Sequence, residues 1–329
     1  MNPHLRSKLH MESEPWPGPL PEPLFIAGCM RSGTTLLVDK ISQHPQLLKI
    51  GVELNDIWTA IGGATCANPC QHRTEQHATY EAAQRMTDYF TRYLLDARSL
   101  RRHLMRAKNR YRQGSGRIFY DWEHIVPVNK SPHLSNKLRY VQTLFPKARF
   151  IYLIRSIEGH SASMKVHFDR NYRTHKLVNY IPADPFGCYT RVREGQPIAE
   201  PVLSRQYPGD FSVIPEMWIR VNATALDDLR HIDPARYRIV VYEDLVQRQP
   251  EVLRGIFDFL RLDSRHQALA DKIADSGMRV INTTTAGDPL DKWRETLGAT
   301  EKQQLADVVG RMDTAYQAIM ATVAASRLA

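Results

Sequence analysis

Cysteine is scarce in this 329-residue chain: there are four, with no repeating spacing. That excludes a scaffold framed by disulfides. Long apolar runs are missing as well. The longest are a few residues, so no segment reads as a membrane span, and the first 23 residues lack the stretch of a secretory signal or anchor. Disorder is excluded from the other side, because 43% hydrophobic residues are enough for a substantial core. A soluble chain, by default cytoplasmic, is the expectation. Acidic residues are in the minority, 35 against 44 Lys plus Arg, for a formal net charge of +9. Such a surplus favours an anionic partner. Basic residues interleaved with exposed aromatics are lacking, so nucleic acid is not the expected partner.

The surplus is not spread evenly. Between Ala97 and Tyr120 lie eight Arg and Lys, among them Arg101, Arg102 and Arg106, and no Asp or Glu. Nearly the whole net charge therefore sits in residues 97–120. Two readings stand: a solvated helix face, or a border of the active site that draws in an anionic acceptor.

Pro15, Pro17, Pro19, Pro21 and Pro23 alternate with other residues, which makes 1–23 an extended arm. From Leu24 onward strand and helix patterns alternate. The strands expected are Leu24–Ala27, Leu47–Ile50, Ile125–Val128, Arg149–Ile154 and Tyr237–Tyr242. The helices expected start at Thr34, run from Met86 to Tyr111, lead to Leu144, and cover Ile157–Phe168, Ile214–Leu229 and Pro250–Leu260. A tail helix from Thr300 carries Leu305, Val309, Met312, Tyr316, Ile319 and Val323 on one stripe. This alternation predicts an α/β fold, a P-loop-like three-layer arrangement with a central parallel sheet flanked by helices. One domain is expected over 24–329, with a helical insertion at about 54–120 and a long loop excursion at about 169–212.

Gly28-Cys29-Met30-Arg31-Ser32-Gly33-Thr34-Thr35 fits G-x-x-x-x-G-x-T between a strand and a helix. Glycines let the backbone approach a phosphate, and the helix N-terminus supplies amide donors and partial positive charge. The lysine of a nucleotidase loop is absent: Thr34 takes its place, and Arg31 puts a cation inside the loop. A strand ending in a lone Asp, suited to Mg²⁺, is also missing. Arg149–Ile154 runs into Arg155, and Tyr237–Tyr242 runs into Glu243-Asp244. The loop thus reads as a phosphate site built from protein cations, with no metal.

The segment CMRSGTTLL, followed by a helix and His44-Pro45, resembles the 5′-phosphosulfate loop of sulfotransferases that use 3′-phosphoadenosine 5′-phosphosulfate (PAPS). Arg155 and Ser163, eight residues apart across a strand end and the next helix, resemble the family's 3′-phosphate pair. Tyr242-Glu243-Asp244-Leu245 is similar to its later YEDL segment. The matches run from about Leu24 to Trp293. They imply sulfuryl transfer to an acceptor hydroxyl, with 3′-phosphoadenosine 5′-phosphate (PAP) as product and no metal required.

The resemblance further implies site residues. Arg31, Ser32, Gly33, Thr34 and Thr35 would hold the 5′ end of the donor, Arg155 and Ser163 the 3′-phosphate. Tyr242 would neighbour the adenine, and Lys292, in a KW pair, belongs to a late basic loop. Arg31 and Lys130 would stabilise charge on the leaving oxygen. RSGTT, HP and Glu53 follow the carbohydrate and tyrosylprotein branch, as does Asn129-Lys130-Ser131-Pro132, so Glu53 is the favoured base. His133, three residues after Lys130, is the alternative, and His124 another. The acceptor is a small molecule or glycan, or a peptide tyrosine; homodimerisation is left open. A P-loop kinase-like phosphotransferase and a phosphate- or nucleic-acid-binding module are the competing functions. Cys66 and Cys70 with His72 and His77 lack the spacing of a zinc site, Cys29 reads as a buried filler, and His160, His167 and His175 are candidates for the acceptor pocket.

Overall fold

Five short strands hydrogen-bond in parallel in the order β2-β3-β1-β4-β8. They are β1 (Leu24–Ala27), β2 (Leu47–Lys49), β3 (Val126–Lys130), β4 (Arg149–Ile154) and β8 (Tyr237–Val241). The computed structural model describes residues 20–64, 71–99, 119–180, 189–197, 205–277 and 288–327. Residues 1–19 of the proline-rich arm, Cys66 and Cys70, and most of the basic segment 97–120 lie outside the described residues.

Successive strand residues face opposite sides of a sheet, and here both sides are apolar. Phe25, Ala27, Phe150, Tyr152 and Ile154 enter one core, while Leu24, Ile26, Ile151 and Leu153 enter the other. The second core is closed by α1 (Thr34–Ile41) through Leu37, Val38 and Ile41, and by later helices through Leu253, Ile256 and Ile273. The first is closed by α2 (Asn55–Ala60), α3 (Tyr80–Arg98), α4 (Leu138–Leu144), α5 (Ile157–His175) and α6 (Val213–Arg230). Phe25 sits at its centre, its ring within 5.9 Å, centroid to centroid, of Trp58, Phe90, Phe145 and Phe150. Each such buried side chain contributes about 1.5–3 kcal/mol, so the cluster fastens the 54–99 region to the sheet. Helices on both faces make the three-layer α/β arrangement expected of the pattern.

Four elements differ from the sequence pattern. The helix expected over Met86–Tyr111 spans Tyr80–Arg98 and stops where Ser99 leaves helical geometry, at ψ 139°. The helix expected over Ile157–Phe168 continues to His175. The span 169–212, read as a loop excursion, also holds a small antiparallel sheet in the order β6-β5-β7, from β5 (Leu177–Tyr180), β6 (Thr190–Arg193) and β7 (Gln206–Tyr207). Strands of four, four and two residues are too short to show a period of two. The tail is two helices, Ala299–Arg311 and Asp313–Ser326, that meet at Met312. The bend replaces the single stripe: Leu305 and Val308 bury from one helix, Ile319 and Val323 from the other. Among the described residues, no helix is long and apolar enough to cross a membrane.

Candidate active site

Because the five strands are parallel, their C-terminal ends converge on one edge of the sheet. Ile26 is in register with Lys130, Ala27 with Tyr152, and Ile154 with Val241. The residues that follow, Gly28, Ser131, Arg155 and Tyr242, therefore leave the sheet side by side. β1 lies between β3 and β4, where the chain switches direction across the sheet, which is where α/β folds open a ligand crevice. An open cleft occupies this position, lined by Met30, Arg31, Gly33, Thr34, Thr35, Glu53, Arg155, Ser163, Tyr242, Pro289 and Lys292, with Leu36 and Pro132.

The floor of the cleft is the turn from β1 to α1. Gly28 has φ 154° and a side chain there would meet the Leu153 carbonyl at 2.4 Å; Gly33 has φ 96° and a Cβ would meet the Tyr242 ring at 2.5 Å. Neither position admits a larger residue. Arg31, at φ 69°, is the one loop residue that accepts a left-handed backbone despite its side chain. Its carbonyl is held by Arg155 Nη1 at 3.2 Å. α1 then starts without a side-chain cap and without an acidic residue in its first turn. Its first amides and positive dipole end are left facing the cleft.

Arg155 is almost wholly buried, 6% exposed. Besides the Arg31 carbonyl it donates through Nη2 to the Pro289 carbonyl at 3.0 Å, and its guanidinium lies 4.4 Å over the Tyr242 ring. Arg31 Nε reaches Ser163 Oγ at 3.3 Å, so the two phosphate motifs of the sequence meet in one place. Burial lowers the pKa of Arg31, Arg155 and Lys292, and mutual repulsion adds to the effect on Arg155 and Lys292. Ser32 Oγ and Arg155 Nε are buried with no hydrogen-bond partner among the described residues. Crowded cations, orphaned donors and a bare helix N-terminus are the arrangement that an anion with several oxygens completes.

Across the cleft, Lys130 Nζ donates to Glu53 Oε1 at 2.6 Å, and Asn55 Nδ2 donates to Glu53 Oε2 at 3.3 Å. Lys130 is 2% exposed, while the Glu53 side chain is 31% exposed. Burial pushes the Glu53 carboxyl up. The hydrogen bond and charge of Lys130, the charge of His133 and the Asn55 amide outweigh it and hold the group below the ordinary carboxylate value. The carboxylate is thus ionised at neutral pH and partly open to an approaching hydroxyl.

The sequence profile of the sulfotransferase family matches residues 23–193, which spans the loop, Glu53, Lys130, Arg155 and Ser163. The chain belongs to the sulfotransferase family. It is 24% identical over 309 residues to the nodulation protein NoeE of Sinorhizobium fredii, covering 89% of this chain and 64% of that protein. The chain therefore spans slightly less than two thirds of that curated relative. Among solved structures it is similar to the sulfotransferase domain of the Synechococcus PCC 7002 olefin synthase, with TM-score 0.45 and 21% identity over 92% of this chain and 98% of that one. It is likewise similar to the sulfotransferase domain of the curacin biosynthetic pathway, with TM-score 0.46 and 16% identity over 90% and 99% of the two chains.

Within this member of the sulfotransferase family, the residues singled out from sequence fall as follows. Arg31, Gly33, Thr34, Thr35, Glu53, Arg155, Ser163, Tyr242 and Lys292 line the cleft; Ser32 lies buried in the loop, and Lys130 behind Glu53. His133 does not line it; its carbonyl accepts from Lys137 Nζ at 3.1 Å. His124 precedes β3 at the opposite edge of the sheet, beside Asp121 and Asp263. Those three could share a metal, but Arg265 already bonds both Asp263 and His124. His72 pairs with Asp228, and His77 closes its own turn on Thr74.

Cys29 is buried, its Sγ 3.3 Å from His160 Nε2, and burial pushes the thiol up to about 12. His160 is behind the loop rather than in the cleft; burial, then the charge of Arg155, lowers it to about 3. His167 is lowered to about 4 by burial and by Arg31, Arg191 and Arg170, while His175 is exposed. Asn55 and Pro289 were not legible as site residues. Pro289 has no local signal, and Asn55 becomes visible only once β3 is placed beside Glu53.

Proposed function

We propose that this protein transfers the sulfuryl group of PAPS to a hydroxyl of a small-molecule or glycan acceptor, releasing PAP. The observation that carries this reading is the Arg31–Ser163 hydrogen bond, which joins the two phosphate motifs in the cleft that also holds the Glu53–Lys130 pair. The donor, when bound, supplies an activated sulfuryl group on a good leaving group.

The protein's own residues divide the remaining work. The amides at the start of α1, with Ser32, Thr34 and Thr35, hold the 5′ end. Arg155 and Ser163, with Lys292, hold the 3′-phosphate, and the Ser32 and Arg155 donors gain the acceptors they lack. Tyr242, stacked on Arg155, borders the adenine. Lys130 and Arg31 stabilise the negative charge that grows on the bridging oxygen as its bond to sulfur breaks. Glu53 takes the proton of the acceptor hydroxyl as the new oxygen–sulfur bond forms. In this reading every charge-stabilising role falls to a side chain.

The test is calorimetric titration of PAP in the presence of a chelator, followed by transfer of labelled sulfate from PAPS to a panel of sugars, lipid-linked glycans, peptide tyrosines and phenols. Chelator-independent PAP binding and labelling of a hydroxyl acceptor are expected. A chelator-sensitive affinity for ATP in place of PAP would instead mark a phosphotransferase.

A further inference from the structure

The last two residues of β3 and the one that follows it reach over to the segment that carries Glu53. Asn129 Oδ1 accepts from Trp58 Nε1 at 3.1 Å, and Asn129 Nδ2 donates to the Ile50 carbonyl at 3.2 Å. Lys130 holds Glu53 Oε1 directly. Ser131 Oγ donates to Asn55 Oδ1 at 3.4 Å, and Asn55 Nδ2 passes the contact on to Glu53 Oε2. Lys130 and the residue that follows it thus fix the two oxygens of one carboxylate, one by a charge and one through an amide relay. Leu54, left-handed at φ 58°, turns the backbone so that Asn55 faces back to Glu53. Ser131 is itself fixed to the phosphate-loop strand, its N–H donating to the Ile26 carbonyl at 3.0 Å.

The two holds are not equivalent. In the proposed mechanism Lys130 is shared between Glu53 and the departing bridging oxygen, so its grip on Oε1 weakens as the reaction proceeds. The Asn55 relay has no such second duty. We propose that Asn55 is the positioning residue of the catalytic base, keeping the Glu53 carboxylate aimed at the acceptor hydroxyl while Lys130 serves the donor. The proposal rests on Glu53 being the base.

The geometry sets the expected consequences. Asn55 donates to the charged form of Glu53, and the charges acting on Glu53 are those of Lys130 and His133. Removing the amide therefore raises the pKa of the base and frees one of its oxygens. The experiment measures kcat, donor KM and the pH profile for Asn55→Ala and Asn55→Asp, each also combined with Glu53→Gln, with PAP affinity as the check on folding.

Asn55→Ala is expected to lower kcat about tenfold with unchanged PAP affinity and donor KM, and to move the acidic limb of the profile to higher pH. Asn55→Asp, which sets a second carboxylate beside the first, is expected to move that limb further. Neither substitution should matter once Glu53 is Gln, because residues that act through one group are non-additive. An Asn55→Ala enzyme with unaltered kcat and profile overturns the proposal, as does an equal loss in the Glu53→Gln background. A Glu53→Gln enzyme of near wild-type turnover overturns the base assignment instead, which keeps the two failures apart.

Discussion

Replacing Arg155 by Met should cost the enzyme its discrimination for the 3′-phosphate and little else. Arg155 is 6% exposed and held by two carbonyls and the Tyr242 ring, with Nε left over. It is therefore already in place before any nucleotide arrives. A hydrogen bond to a charged group contributes about 1.5–3 kcal/mol, and about 1.4 kcal/mol is a factor of ten in affinity. PAP affinity should then fall between about tenfold and about 150-fold. Adenosine 5′-phosphate, which lacks the group proposed to meet Arg155, should bind within about threefold of wild type. Arg155→Lys should fall between, because an ammonium cannot donate in parallel as the guanidinium does. Calorimetry of the two nucleotides gives the ratio, which cancels general damage to the loop. Equal losses for both, or no loss for either, would refute the assignment.

Other consequences follow from the same geometry. Gly33→Ala places a methyl 2.5 Å from the Tyr242 ring at φ 96°, and should lower both the melting temperature and PAP affinity, at a cost of about 1–3 kcal/mol. Lys130→Met removes the hydrogen bond and charge that do most to hold Glu53 below the ordinary carboxylate value, while burial, which raises it, remains. The acidic limb of kcat/KM should therefore move to higher pH, a shift that the pH profile reads directly. His160 is neutral in the folded chain down to about pH 3, against an ordinary value of 6.5. The unfolded chain binds that proton first, so stability is lost as pH falls below about 6.5. His160→Asn should lessen the drop in melting temperature between pH 6.5 and 4.

Much of the sheet was legible because its strands are apolar runs flanked by turns: Leu24–Ala27 and Arg149–Ile154 end where the pattern places them. The last two turns of α5 were not, since Arg170, Asn171, Arg173 and Thr174 show no apolar period and the helix is held by pairs such as Lys165 with Asp169. The small antiparallel sheet was hidden by strand length. In the site, loop residues declared themselves by spacing, whereas Glu53 and Lys130 lie 77 residues apart. Only the placement of β3 between β2 and β1 brings them together. A role for Asn129 and Ser131 beside Lys130 was invisible for the same reason: their partners, Trp58, Ile50 and Asn55, come from a segment with no match to a motif.

The central claim is that Glu53 removes the acceptor proton in a cleft that binds the donor without it. Its most direct test is one pair of measurements on Glu53→Gln: PAP affinity by calorimetry, and sulfate transfer from labelled PAPS to whichever acceptor the wild-type enzyme labels. Wild-type PAP affinity with transfer reduced about 100-fold or more is expected. Transfer at a near wild-type rate with PAP still bound would contradict it.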